Sequence, residues 1–315
     1  MKKKVIILVL ILGLLAIFFI PLTQQETIQI KAPFLKVYSE LNNVNNWKKW
    51  HPYLKEILLA DSNKISVKKD SNSFNIDYPN SKLNVTTKGN VFIINDLNKS
   101  ENSNYRYELL PGKTINKTLI IVNKQINVIS YLIGRFKPIS FSDTHVVDFK
   151  NYMETDSLYY GFSIFKAKVP GAYLIEIKKV VLTKNQFEEA AKLLNTLTQY
   201  KEATHLTKIY PLIAQFQPIS KDSTQINIGF FVDREVKPGK GDIIFARMPK
   251  GGPLYSANFV GKFSDRQKAY SALREYFTNY SYQLVILPFD IYLDDKLPLN
   301  DTDKVNVRVS FATYF

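Results

Sequence analysis

The chain of 315 residues carries 42 Lys and Arg against 28 Asp and Glu, a formal charge of +14, and is 45% hydrophobic and 13% aromatic. That apolar content is too high for a disordered chain and too low for a multi-span membrane protein, and the length suits roughly two domains of about 150 residues each. The absence of Cys excludes disulfides, thiolate metal sites, iron–sulfur clusters and an acylated Cys anchor.

Lys2, Lys3 and Lys4 precede an apolar run from Val5 to Leu22. As a helix this run would reach about 27 Å, close to the hydrocarbon thickness of a bilayer. The Lys cluster would stay in the cytoplasm, leaving the remaining chain extracytoplasmic. A cleaved signal peptide is the alternative. The residues Phe18-Phe19-Ile20-Pro21-Leu22, however, are bulky where a peptidase wants small side chains. The expectation is a single-pass membrane protein with residues 1–23 as the anchor segment and bilayer contact through residues 5–22.

Glu26–Ala32 alternates apolar and polar residues, the pattern of a half-buried strand. Pro33 can open a helix, and Phe34, Val37, Tyr38 and Leu41 recur at helical spacing. The helix is expected to end near Trp47-Lys48-Lys49-Trp50-His51-Pro52, because the residue before a proline avoids helical geometry. Strand-like runs follow at Lys64–Val67, Phe74–Ile76, Leu83–Thr86, Val91–Ile94, Tyr105–Leu109, Thr118–Val122, Thr144–Asp148, Ser157–Phe165 and Tyr173–Val181. The stretch Asn123–Pro138 reads equally as helix or strand. Thr183–Gln186 is a candidate helix start, with Phe187, Ala190, Ala191, Leu194, Leu197 and Thr198 on one face behind it.

This opening strand, Pro-started helix with a W-x-x-W-x-P ending, strand series and long closing helix resembles the START-like superfamily (SRPBCC, polyketide cyclase/dehydrase). The specific resemblance covers ETIQIKAPFLKVYSELNNVNNWKKWHPYL, and the remainder matches in element order. It implies a helix-grip antiparallel sheet domain over residues 24–205, with an apolar cavity under the terminal helix. Trp47 and Trp50 would either plug that cavity or touch its ligand.

In residues 206–315, strands are expected at about Gln225–Val232, Gly241–Met248, Leu254–Phe259, Phe289–Leu293 and Val305–Ala312, with a turn at Lys237–Lys240. Asp265–Tyr280 reads as an amphipathic helix bearing Tyr270, Leu273, Tyr276 and Phe277 on one face. The order YSANFVGKFSDRQKAYSALREYF, loop, LPFDIYLDD, then VNVRVSFAT resembles the GyrI-like, AraC-type effector-binding domain. That family builds a groove from two strand–helix–strand halves and often places an acid in it. The resemblance puts Asp290 in the acidic position, with Tyr255, Phe259, Phe263, Tyr270, Phe289 and Tyr292 as lining residues. An ionised carboxylate among aromatics is costly unless paired, so such a site favours a bound cation or a hydrogen-bond partner such as a Tyr.

No nucleophile elbow, phosphate loop, zinc-protease helix or dinucleotide fingerprint occurs. His51, His145 and His205 form no spaced pair, which argues against a His-based zinc site, and no cofactor is expected. Basic residues are scattered in pairs such as Lys48-Lys49, Lys68-Lys69 and Lys178-Lys179, without the stripe that nucleic-acid binding needs. The combined expectation is an α+β chain with an N-terminal transmembrane helix, a START-like domain and a GyrI-like domain. Its expected function is non-catalytic binding of a small hydrophobic or cationic ligand. The alternatives are an envelope interaction module with filled cavities, or a small hydrolase using a groove carboxylate with a Tyr. The sequence names no protein partner.

Overall fold

The computed structural model describes residues 21–60, 64–98, 101–128, 145–237 and 242–314. It is α+β with two antiparallel sheets, one in each of two compact units, residues 1–155 and 156–315.

The apolar run expected to anchor the chain lies outside the described residues up to residue 20. Its last two residues are not helical: Pro21 and Leu22 begin strand β1 (Pro21–Ile30), paired antiparallel with β7 (Thr118–Asn127). Among the described residues no helix is long and apolar enough to cross a membrane. The single-pass topology, its transmembrane helix and its extracytoplasmic placement are therefore corrected.

The first unit is a seven-stranded sheet in the order β1-β7-β6-β5-β4-β3-β2. Its remaining strands are β2 (Ser66–Lys69), β3 (Ser73–Tyr78), β4 (Ser81–Lys88), β5 (Val91–Asn98) and β6 (Glu101–Pro111). Successive strands pair by short turns; Gly89, at φ +62°, takes the left-handed conformation that the β4–β5 turn requires. Inward-facing Phe74, Ile76, Leu83, Val85, Phe92 and Ile94 alternate with more exposed residues, mostly polar, so one face is core. The helices are α1 (Phe34–Asn42), α2 (Val44–Trp50), α3 (Pro52–Ala60) and α4 (His145–Glu154).

Several local expectations change, among them the strand over Ser157–Phe165: Asp156–Tyr159 is a helix and the strand begins at Ile164. The helix after Pro33 breaks at Asn43, whose side chain accepts from the Asn45 N–H at 3.1 Å and restarts it as α2. Pro52 ends α2 and itself opens α3, since a first-turn position needs no N–H. Residues 145–148 are not a strand: α4 buries Val146, Phe149, Tyr152 and Met153 at helical spacing, while residue 144 lies outside the described residues. Of the ambiguous stretch Asn123–Pro138, residues 123–127 belong to β7 and residues 129–138 lie outside the described residues.

The second unit contains α5 (Asp156–Tyr159), β8 (Ile164–Lys168), β9 (Tyr173–Leu182), α6 (Gln186–Ala203), β10 (Leu212–Pro218) and β11 (Ser223–Val232). These are followed by β12 (Ile243–Arg247), β13 (Pro253–Lys262), α7 (Gln267–Asn279), β14 (Phe289–Tyr292) and β15 (Lys304–Ala312). The sheet order β12-β9-β11-β10-β14-β15-β13-β8 is palindromic. Two equivalent halves, β8-β9-α6-β10-β11 and β12-β13-α7-β14-β15, meet at β10 and β14, and each sends its first strand to the far edge of the other. This explains the change from the expected division at residue 205. The helix assigned to close the first domain packs Ala190, Leu193 and Leu197 into the second unit's core, alongside Leu273 and Phe277 of α7. Half of the duplicated fold lies upstream of residue 206.

Candidate functional site

The second sheet has two faces because strand side chains alternate. Ile175, Ile177, Ala214, Phe216, Ile226 and Ile228 face the helices and form the main core. Leu174, Ile213, Phe231, Phe289 and Ile291 face the other way and form a smaller apolar cluster. On that helix-free face a cavity of about 300 Å³ opens over β9, β10 and β11. Its walls include Leu174, Ile213, Phe231, Ala246, Met248 and Phe289, with Ile286 and Leu287 closing one side.

One acid sits in this apolar surround. Glu176 is 8% exposed. Its Oε1 meets the Lys178 ammonium at 2.9 Å, and its Oε2 accepts from Asn227 Nδ2 at 2.9 Å. The same Asn227 amide donates to Gln215 Oε1 at 3.2 Å, and Gln215 Nε2 donates to the carbonyls of Leu287 (3.0 Å) and Pro288 (3.1 Å). A polar chain thus ties the cavity floor to the loop that walls it. Asn227 Oδ1 is buried without a hydrogen-bond partner, an acceptor left for something else to satisfy. Gly229 lies directly opposite Glu176 in the β9–β11 register, so no side chain covers the carboxylate from that strand position. Lys178, the one cation on Glu176 among the described residues, is itself 44% exposed at its side chain, so the buried negative charge is balanced by a group that can swing into solvent.

The expected acid, Asp290, is elsewhere. Alternation along β14 turns Asp290 and Tyr292 toward the helices and Phe289 toward the cavity. Asp290 is 0% exposed; its Oδ2 accepts from Arg266 Nε at 3.1 Å and its Oδ1 from the Tyr270 hydroxyl at 2.8 Å. The Arg266 guanidinium lies 3.4 Å from the Phe263 ring centroid and donates to the Phe263 carbonyl. Burial pushes the Asp290 carboxyl up, while the Arg266 charge and the two hydrogen bonds pull it partly back. Burial next to this carboxylate likewise pushes the Tyr270 hydroxyl well up. With both oxygens bonded and no solvent access, Asp290 has no position for a reacting water, so the Asp–Tyr hydrolase arrangement does not form.

Of the other expected lining residues, only Phe289 lines the cavity. Phe259, Phe263, Tyr270 and Tyr292 are core. Tyr255 is also core, and its hydroxyl donates to Tyr282 at 2.7 Å beside a second, more open hollow with Lys166 and Tyr314. In the first unit, Trp47 and Trp50 are buried against one another with ring centroids 4.5 Å apart, and Trp47 Nε1 donates to the Leu41 carbonyl at 2.8 Å. Both belong to the buried core of the first unit. Glu176 was missed because β9 was assigned to the first domain, and Gln215 and Asn227 because an amide on a strand carries no sequence signal of its own. A usable signal was an acid between Leu174 and Lys178, flanked on both sides by Ile175 and Ile177, in the apolar first half of the strand.

The first unit also brings together residues that sequence spacing kept apart. His51, Asp96 and His145 converge, with His145 Nε2 2.8 Å from Asp96 Oδ2. Burial pushes the Asp96 carboxyl up, but the bond from His145 and the facing His51 outweigh it, so Asp96 lies below the usual carboxylate range. Burial also pushes the His51 imidazole down, against the pull of Asp96.

No family model matches the chain, and no curated protein matches it. Similar solved structures include the EcmrR C-terminal domain (17% identity, TM-score 0.39, spanning 48% of this chain and 97% of that one). Others are a START superfamily protein from Mycobacterium smegmatis (11%, 0.28, 42% and 97%) and a hydrolase from Listeria innocua (13%, 0.34, 48% and 92%). These are likenesses of fold alone.

Proposed function

We propose that this protein binds a small amphipathic cation in the helix-free cavity of its second unit. The observation that carries the reading is Glu176: a carboxylate buried in a mostly apolar cavity and neutralised by an exposed, displaceable Lys178. A ligand cation entering the cavity replaces the Lys178 ammonium at Glu176, while its apolar body buries against Leu174, Ile213, Phe231 and Met248. Exchange of one cation for another avoids leaving the carboxylate unpaired, and burial of the apolar body supplies the driving force. A donor on the ligand would also satisfy Asn227 Oδ1. The volume of about 300 Å³ restricts occupants to small molecules, at the lower end of ligand cavities.

The test is calorimetric titration of the full chain with benzyltrimethylammonium and with its uncharged carbon isostere. The cation is expected to bind more tightly, and Glu176→Gln is expected to weaken it by about tenfold, or about 1.4 kcal/mol, while leaving the isostere unchanged. Equal affinity for the two probes, or a Glu176→Gln variant that binds the cation as the parent does, overturns the reading.

A further inference from the structure

His51, Asp96 and His145 come from three separate elements: the α2–α3 junction, strand β5 and the first turn of α4. Their ligand atoms all lie within 4.8 Å of one another. Asp96 Oδ2 sits between the rings, 2.8 Å from His145 Nε2 and 3.6 Å from His51 Nε2. Its other oxygen, Oδ1, accepts from the Tyr78 hydroxyl at 2.9 Å, which fixes the carboxylate plane and directs Oδ2 at the imidazoles. Asp96 is 2% exposed and follows Phe92 and Ile94 on the inward face of β5, a position that an acid occupies only with strong compensation.

His51 is the second observation. Its residue is 0% exposed, and neither ring nitrogen has a hydrogen-bond partner; the 3.6 Å approach to Asp96 is too long for one. The ring is wedged among Trp47, Trp50, Tyr53 and His145, with the His145 centroid at 4.2 Å. A wholly buried imidazole with both nitrogens unsatisfied is costly, and coordination through Nε2 would remove part of that cost.

We propose that His51, Asp96 and His145 are a two-histidine, one-carboxylate site for a divalent transition-metal ion, with Zn²⁺ as its representative. Nitrogen and carboxylate oxygen bind zinc at about 2.0–2.2 Å, so tetrahedral donors stand about 3.3 Å apart. The His51–Asp96 separation is already near that value. The His145–Asp96 pair is shorter because it is a direct hydrogen bond, 2.8 Å from Nε2 to Oδ2, and a metal would take the place of the bonding proton with the imidazole hydrogen carried on Nδ1. His145 has the freedom to adjust, its side chain being 13% exposed against 0% for His51. Three protein ligands leave a fourth position, on the His145 side, for water or an incoming molecule. Tyr78 acts as a positioning residue through its bond to Asp96.

The experiment uses the full chain, stripped with chelator and titrated with Zn²⁺ by calorimetry, with metal content read by elemental mass spectrometry. In parallel, Co²⁺ is added and its visible absorption recorded. One Zn²⁺ per chain is expected, together with an intense Co²⁺ band of a four-coordinate site. His145→Ala, at the partly exposed position, is expected to weaken Zn²⁺ by more than about a hundredfold, and Tyr78→Phe by about 10–100-fold. His205→Ala, a histidine of the second unit, is expected to leave binding unchanged. Asp96→Asn adds a second ligand test, and His145→Ala keeps the proposal falsifiable should that buried change prevent folding. Zn²⁺ uptake that is absent in the parent chain, unchanged in His145→Ala, or lost in His205→Ala overturns the assignment. An absent uptake would leave the three side chains as a hydrogen-bonded network only.

Discussion

Replacing Arg266 with Met is expected to destabilise the second unit by about 3–5 kcal/mol, because it leaves the carboxylate of Asp290 buried without its counterion. Asp290 is 0% exposed and lies under the helices, so water cannot take over the role of the guanidinium. Tyr270 alone remains as a donor, at 2.8 Å. The double variant Arg266→Met/Asp290→Leu is expected to recover most of the loss, since removing both charges abolishes the desolvation cost that the single variant exposes. Urea unfolding followed by circular dichroism measures both.

The pH dependence has a defined sign. Burial raises the Asp290 carboxyl above its ordinary value, so the folded state holds this proton more tightly than the unfolded state. Its contribution to stability is therefore greatest below the unfolded value of about 3.9 and declines as pH rises through the folded value. Removing Arg266 takes away the main opposing pull and raises the folded value further. The penalty of Arg266→Met should accordingly shrink as pH falls from 7 toward 4. A single-variant loss below about 1 kcal/mol, or one that grows on acidification, would show that Asp290 is not held as a buried, paired carboxylate.

Trp47→Ala is expected to cost about 3–5 kcal/mol in the first unit. The indole is 1% exposed, stacks near Trp50 and meets Phe74 edge-on at 5.8 Å. Truncation would open a large cavity and leave the Leu41 carbonyl without its 2.8 Å partner. Trp47→Phe should recover more than half, retaining most of the packing and losing only the hydrogen bond and part of the ring. Both tryptophans of the chain lie in the first unit, so Trp50 fluorescence in urea reports this transition directly. Were Trp47 the wall of an open ligand cavity, solvent would fill the gap and the cost would fall below about 1 kcal/mol.

Much of the local structure was legible because it is set by neighbours in sequence. The alternation in Glu26–Ala32 became β1, the 3.6-residue apolar spacing after Gln267 became α7, and the runs ending at Val232 and Ala312 became β11 and β15. Where two periods compete over a few residues, the reading failed: His145–Glu154 is a helix because Val146, Phe149 and Met153 bury on one side of it. The domain boundary failed for a different reason. A duplicated fold whose first strands exchange edges leaves no composition shift where one unit passes to the next, and β9 and α6 look as much like the end of a first domain as the start of a second.

By itself the sequence determined most element types, the two-sheet α+β class and the absence of any Cys chemistry, because composition and periodicity act over single turns and strands. Only the tertiary structure decided which side chains share a space. A one-residue step along β14 sends Phe289 to the cavity and Asp290 to the core, and β9 carries the acid that the cavity contains. His51, Asp96 and His145 are far apart in the chain, so no spacing rule could bring them together. Their meeting is a product of strand register and helix packing, which are fixed by burying apolar faces rather than by any local pattern around the polar residues themselves.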